Sequence, residues 1–325
     1  MNRSMRTLAV LGAGSLVVAG MLAGCAPKPA PAQPPALEPF LIDQDFPDPD
    51  IMETNDGYVA FATNTRGVNV QFATSDDLDG WDVSLQDALP QLPDWASVGR
   101  TWAPDVSALP GGGFIMYFVA AHNESNRQCI GAATSPTATG PFSAVGGDPL
   151  VCTLDEGGSI DPSVFSENDG TRYLVWKNDG NCCSMETWIQ LTPLSPDGTQ
   201  LAGPAVKLFQ QTEEWEGQLV EAPVLVKHED TYLMFYSAND YAGEDYAVGV
   251  ASAPALTGPY VKQPEPFLST ESSDRRYLGP GGQDILHTSE GDRIFFHGWD
   301  ELVMYRGLHS LPLEWKDDVP SVRLP

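Results

Sequence analysis

Three acidic residues stand beside prolines in closely similar settings: Asp48 in F-P-D-P-D, Asp161 in S-I-D-P-S and Glu221 in V-E-A-P-V. An Asp before a Pro at the start of an extended run is commonly just a turn residue. Three carboxylates at corresponding points of a repeating pattern ask for another explanation. Two carboxyl groups across one bond, one protonated and one ionised, are what hydrolysis of a glycosidic bond needs. A third negative charge nearby disfavours ionisation of the acid and keeps it protonated near neutral pH.

The elements that must bring these groups together are repeats. One motif recurs as DPDIMETNDGYVAFAT, APDVSALPGGGFIMYFVA, DPSVFSENDGTRYLVWKN, APVLVKHEDTYLMFYSA and GQDILHTSEGDRIFFHG. Anchored at Pro49, Pro104, Pro162, Pro223 and Gln283, the copies follow one another in steps of 55, 58, 61 and 60 residues. Each reads as a strand, a turn rich in Asp, Gly or Asn, and an aromatic-rich strand. A second motif follows each copy: VQFATSDDLDGW, IGAATSPTATGPF, WIQLTPLSPDGT, VGVASAPALTGPY and YRGLHSLPLEW. Two interleaved motifs in five copies make about four strands per unit, and no stretch holds a helical period. This predicts an all-β chain folded as a five-bladed β-propeller over residues 40–325. A sandwich predicts no 60-residue repeat, and a β-helix predicts a shorter one. The innermost strand of each blade starts at the mouth of the channel, so Asp48, Asp161 and Glu221 converge there. Asp105 lies on the other side of its proline, and strand alternation points it elsewhere.

The amino terminus reads as an address. Arg3 and Arg6 precede an apolar run from Leu8 to Ala23, the pattern of a signal peptide over residues 1–24. The run ends in L-A-G-C, which resembles the lipobox of bacterial lipoproteins and implies lipid on Cys25. Residues 25–39 carry APKPAPAQPPA, an extended semi-rigid spacer. A lipid-anchored position on the extracytoplasmic face is expected, with the membrane touched only through that anchor.

Without Arg3 and Arg6, 15 basic residues face 44 acidic ones, a net charge of −29. This excludes nucleic acid and anionic lipid as natural partners and suits neutral ligands such as sugars. A monomer is expected. Outside the cytoplasm the remaining four cysteines suggest disulfides. Cys129–Cys152 is the favoured pair, both lying within one repeat. The adjacent Cys182 and Cys183 either join each other or reach out separately.

The set F-P-D-P, W-A-P-D-V, G-S-I-D-P-S-V-F and V-E-A-P, with T-S-D-D-L-D-G-W, two T-G-P-F/Y endings, Y-L-G-P-G-G-Q and F-F-H-G-W, resembles glycoside hydrolase family 43 from about residue 40 onward. The resemblance implies Asp48 as general base, Glu221 as general acid and Asp161 as the carboxylate that tunes and orients the acid. It implies an inverting reaction without a cofactor. Trp102 and Trp215 are candidates to line the sugar site, Arg275 or Arg276 to reach hydroxyls, and His297 to stand nearby. Many members read G-P-G-H where this chain has Gly282, so the channel calcium ion that such a histidine helps to bind is in doubt. The expected substrates are arabinofuranosides or arabinan first, β-xylosides second and galactofuranosides or galactans third. A binding propeller without catalysis and a retaining fructan-active clan are the alternatives. The full acidic trio argues against the first, and the W-A-P-D-V and V-E-A-P pair against the second.

Overall fold

The computed structural model describes residues 36–325 other than Arg66. The signal peptide of residues 1–24, Cys25 and most of the 25–39 spacer therefore lie outside the described residues. Five four-stranded antiparallel sheets follow one another along the chain, each a simple meander. They are the blades, and their innermost strands are Asp50–Thr54, Ala96–Ala108, Ser159–Ser166, Val220–His228 and Leu278–Thr288. Among the described residues no helix is long and apolar enough to cross a membrane.

Strand alternation explains why blades form a ring. In Phe114–His122 of blade two, Met116, Phe118 and Ala120 pack toward blade one, whereas Ile115, Tyr117 and Val119 pack toward blade three. A strand with both faces apolar needs a neighbour on each side. There are five buried hydrophobic clusters, one in each gap between successive blades. The gap between blades five and one is closed by the segment before the first strand. Ile42 bridges Leu308, and Phe46 donates its N–H to the Arg306 carbonyl at 2.8 Å.

At the channel, the inner strands share a second feature. Asp48, Ala103, Asp161, Ala222 and Gly282 all have positive φ, from 39° to 55°. Each precedes its repeat's anchor residue. In blades two to five the ladder to the second strand also slips there, between Trp102 and Asp105 and at the matching places of the others. Ala103 and Ala222 carry no reactive group and yet share the conformation. The left-handed step therefore belongs to the fold, whatever side chain it presents.

Candidate active site

The inner strands surround a cavity of about 700 Å³ at one end of the channel, within the size range of sites that hold small ligands. Asp48, Asp161 and Glu221 all line it, with Trp102 and Arg306.

Asp48 is held by three neighbours and keeps one side to the cavity. Its Oδ2 accepts the Thr63 hydroxyl at 2.6 Å, and its N–H donates to His297 Nδ1 at 3.1 Å. Thr63 Oγ1 in turn accepts the Ala103 N–H at 2.9 Å, which ties blade one to blade two. Arg306 Nη1 stands 3.9 Å from Asp48 Oδ1. Burial raises the Asp48 pKa above the ordinary value of 3.8, and Arg306 and Thr63 oppose that rise.

Glu221 is almost fully buried. Its Oε2 meets Lys177 Nζ at 2.8 Å, and its Oε1 accepts the Tyr246 hydroxyl at 2.8 Å. Lys177 has no exposed surface, so this is a buried ion pair. Burial alone would lower the lysine's pKa, but Glu221 and Asp161 more than offset it and raise it. Asp161 Oδ2 accepts the N–H of Ala222, the residue after Glu221, at 2.9 Å. Burial first, then the Glu221 charge, pushes Asp161 up to about 8. Burial and the neighbouring carboxylate thus both favour the protonated form of Asp161, while the Lys177 ammonium pairs with Glu221.

A stacked pair links the two halves. The His297 and Tyr246 rings lie 5.8 Å apart and 4° from parallel. His297 touches Asp48 and Tyr246 touches Glu221, so one stack spaces both carboxylates. Two glycines make room for it. A Cβ on Gly281 would stand 2.1 Å from the Tyr246 ring. A Cβ on Gly282 would stand 2.6 Å from His297 and 2.8 Å from Asp48 Oδ1. Burial holds His297 well below its ordinary pKa, and Nδ1 accepts a hydrogen bond, so the ring is neutral.

Several sequence expectations need correction. Trp215 does not reach the rim. Its ring stacks on Tyr236 at 6.0 Å within the core between blades three and four, and only its carbonyl, accepting Asn239 Nδ2 at 3.1 Å, supports a cavity residue. Arg276 pairs with Glu38 and Asp274 away from the cavity, and Arg275 pairs with Glu244. The cavity arginine is Arg306, flanked by Tyr241 at 5.0 Å and Trp299 at 5.6 Å. His297 is wholly buried behind Asp48 and does not line the cavity. Asp105 does face the cavity, because the slipped ladder resets the alternation, and Asp50 and Asp284 line it too. Cys129 is bonded to Cys152, and Cys182 to Cys183.

Position 282 has no room for a histidine while His297 and Asp48 stand as they do. Among the described residues no three His, Cys, Asp or Glu side chains converge as metal ligands. The residues present do not fit the ion that such a histidine would hold.

The comparisons with known proteins agree on one family. The family described as Glycosyl hydrolases family 43 matches residues 38–320. The extracellular exo-alpha-(1->5)-L-arabinofuranosidase of Streptomyces chartreusis is 26% identical over 309 residues, covering 91% of each chain. The extracellular endo-alpha-(1->5)-L-arabinanases 2 and 1 of Bacillus subtilis are 25% and 24% identical, over 77% and 84% of this chain. The chain spans 58% of the length of the first and 86% of the second. The crystal structure of a thermostable family-43 glycoside hydrolase superposes with a TM-score of 0.78 at 26% identity, covering 90% of this chain and 96% of that one.

Proposed function

Because the chain belongs to glycosyl hydrolases family 43 and is therefore a glycosidase acting on O-glycosyl bonds, we propose that Asp48, Asp161 and Glu221 perform a single-displacement, inverting hydrolysis. The observation that carries this reading is the asymmetry of the three carboxylates. Asp48 is held by a hydroxyl and an arginine and faces open cavity, which suits a base that takes a proton from water. Glu221 and Asp161 form a unit with Lys177, and that unit holds one proton. Glu221 delivers the proton to the leaving oxygen, and Asp161 and Lys177 set its charge and aim. Water attacks the anomeric carbon as the C–O bond to the leaving group breaks. The water's proton goes to Asp48, and no covalent sugar–enzyme bond forms.

Trp102 offers an apolar wall and Arg306 a set of donors for sugar hydroxyls. The relatives' printed activities favour arabinofuranose-containing oligo- or polysaccharides as substrate, with xylosides second. The chain works outside the cytoplasm, anchored through lipid on Cys25. Relatives named extracellular support the compartment, and Cys25→Ser should abolish labelling by a fatty-acid analogue.

The test of roles uses leaving groups. Glu221→Ala should spare a dinitrophenyl α-L-arabinofuranoside, whose leaving group needs no proton, and lose activity on arabino-oligosaccharides. Asp48→Ala should lose both, with partial rescue by azide. Proton NMR of the first product should show inverted configuration. Equal losses for both variants on every leaving group, or a retained anomer, would overturn the assignment.

A further inference from the structure

The cavity wall contains a group that this mechanism does not use. Cys182, bonded to its neighbour Cys183, lines the cavity beside Asn181 and Asp179. The pair lies in the short turn Gly180–Cys183, directly after the strand Arg172–Asn178 that carries Lys177.

The turn is clamped from behind. Arg127 of blade two directs Nη1 at both sulfurs, 3.1 Å from that of Cys182. Asn178 Nδ2 donates to the carbonyls of Glu156 and Glu186, each at 2.9 Å, and Asn178 Oδ1 accepts the Trp188 N–H at 2.7 Å. Gly180 has no space for a side chain, since a Cβ would stand 2.2 Å from the Glu186 carbonyl. Both ends of the loop are thereby fixed, while Cys182 itself stays exposed.

A disulfide between neighbours closes a small ring without a strong donor or acceptor. Carboxylates crowd the rest of this cavity and suit hydroxyls. A polarisable sulfur pair suits the C–H face of a sugar. Its side of the cavity is also defined. Lys177, on the strand that leads into this turn, meets Glu221 at 2.8 Å, so the disulfide stands on the acid's side of the cavity, where the leaving group departs.

We propose that the Cys182–Cys183 disulfide is the contact surface for the leaving-group sugar, and that it selects oligosaccharides over glycosides with small synthetic leaving groups. The proposal rests on Glu221 being the acid.

The double variant Cys182→Ala/Cys183→Ala, assayed on an arabino-oligosaccharide and on the dinitrophenyl arabinofuranoside, tests it. KM for the oligosaccharide should rise by about fivefold, the loss expected when roughly ten heavy-atom dispersion contacts go. The kcat/KM for the dinitrophenyl substrate should stay within about twofold. Equal losses on both substrates, or no loss on either, would overturn the proposal. If the variant unfolds, wild type treated with a phosphine decides. Alkylation mapping should find Cys182 and Cys183 reduced and Cys129–Cys152 intact, with the same selective rise in KM, reversed on reoxidation. Unchanged kinetics in that species would equally overturn it. Failure of the Glu221 assignment reads differently, as a Glu221→Ala enzyme that still cleaves the oligosaccharide.

Discussion

The inner strands carry two rings of acids with the same residue types and different work. The upper ring, at the left-handed positions, holds Asp48 and Asp161, with Glu221 one residue before Ala222. The lower ring lies two residues further on and holds Asp50, Asp105 and Asp284. Both rings line the same cavity. Their partners differ. Upper-ring acids meet cations and hydroxyls: Arg306, Lys177, Thr63 and Tyr246. Lower-ring acids accept backbone N–H groups of the next blade, Asp50 from Val106 at 2.9 Å, Asp105 from Val164 at 3.0 Å and Asp284 from Ile51 at 2.8 Å. One ring holds charge where it is useful, and the other stitches blades together. Asp161 does some of both, since it also accepts the Ala222 N–H of the next blade.

Substitution should separate the rings most strongly in turnover. Asp48→Asn should lower kcat by about 10³-fold or more, within the usual range for loss of a general base, and should move the unfolding midpoint little. Asp105→Asn should leave kcat within about threefold. Steady-state kinetics beside thermal unfolding of both variants makes the comparison. A comparable loss of kcat in Asp105→Asn would erase the distinction.

Much of this division was open to sequence reading, and part was not. Five anchors and two motifs sufficed for the blades, because a strand buried on both faces must repeat its apolar pattern. Asp48 and Asp161 were visible because they abut those anchors, and Glu221 because it stands two residues before one. Lys177, Tyr246, Thr63 and Arg306 were not, since they sit on second and third strands or in loops and reach the cavity only through sheet pairing. Lys177 left one clue, a lysine inside the apolar run L-V-W-K-N. Asp105 was misplaced because alternation was assumed through a bulge. Trp215 precedes the Glu221 strand closely in sequence, and the resemblance implies an arginine near Arg276, but neither says which face of a loop meets the cavity.

A smaller loss should follow from crowding the stack between Asp48 and Glu221. Gly282→Ala puts a Cβ against His297 and Asp48 at a backbone angle of +55°. A fall in kcat of about 10- to 100-fold is expected, since small misplacement of reacting groups costs that much. Gly298→Ala, on the neighbouring strand where the nearest atom is a histidine ring carbon at 3.1 Å, is the control and should lose far less. Equal losses would mean that spacing of the two carboxylates is not what Gly282 protects.

The pH profile should sharpen the upper ring further. The proposed mechanism needs Asp48 ionised and one proton on the Asp161–Glu221 unit. The acid limb should therefore lie above the ordinary Asp value of 3.8, because Asp48 is raised. The alkaline limb should fall near 8, where Asp161 loses its proton. Asp161→Asn removes the carboxylate that shares this proton and leaves Glu221 alone against Lys177, so the alkaline limb of kcat/KM should move to lower pH by about a unit or more. An unmoved limb would separate Asp161 from the acid.

The smallest effect concerns the lower ring and appears in stability rather than rate. Burial pushes Asp105 up to about 7 and Asp284 to about 6. It raises Asp50 well above the ordinary carboxylate value too, with Asp105 and Asp284 adding to the rise. A raised carboxyl pKa means that the folded state binds the proton more tightly than the unfolded chain. The stabilisation it gives is complete below the unfolded value near 3.8 and is lost as pH climbs through the folded value. For Asp105 the window runs from about 4 to about 7. Asparagine at 105 keeps a side-chain oxygen for the Val164 N–H and carries no charge to bury. Wild type should therefore lose stability relative to Asp105→Asn as pH rises from 5 to 8, by about 1–2 kcal/mol. Urea unfolding of both proteins at the two pH values measures the difference directly. Asp161 contributes to the same slope, but it does so in both proteins and cancels. A wild type that gains on the variant over this range would show that the lower ring is ionised and held by charge, which would make the two rings alike.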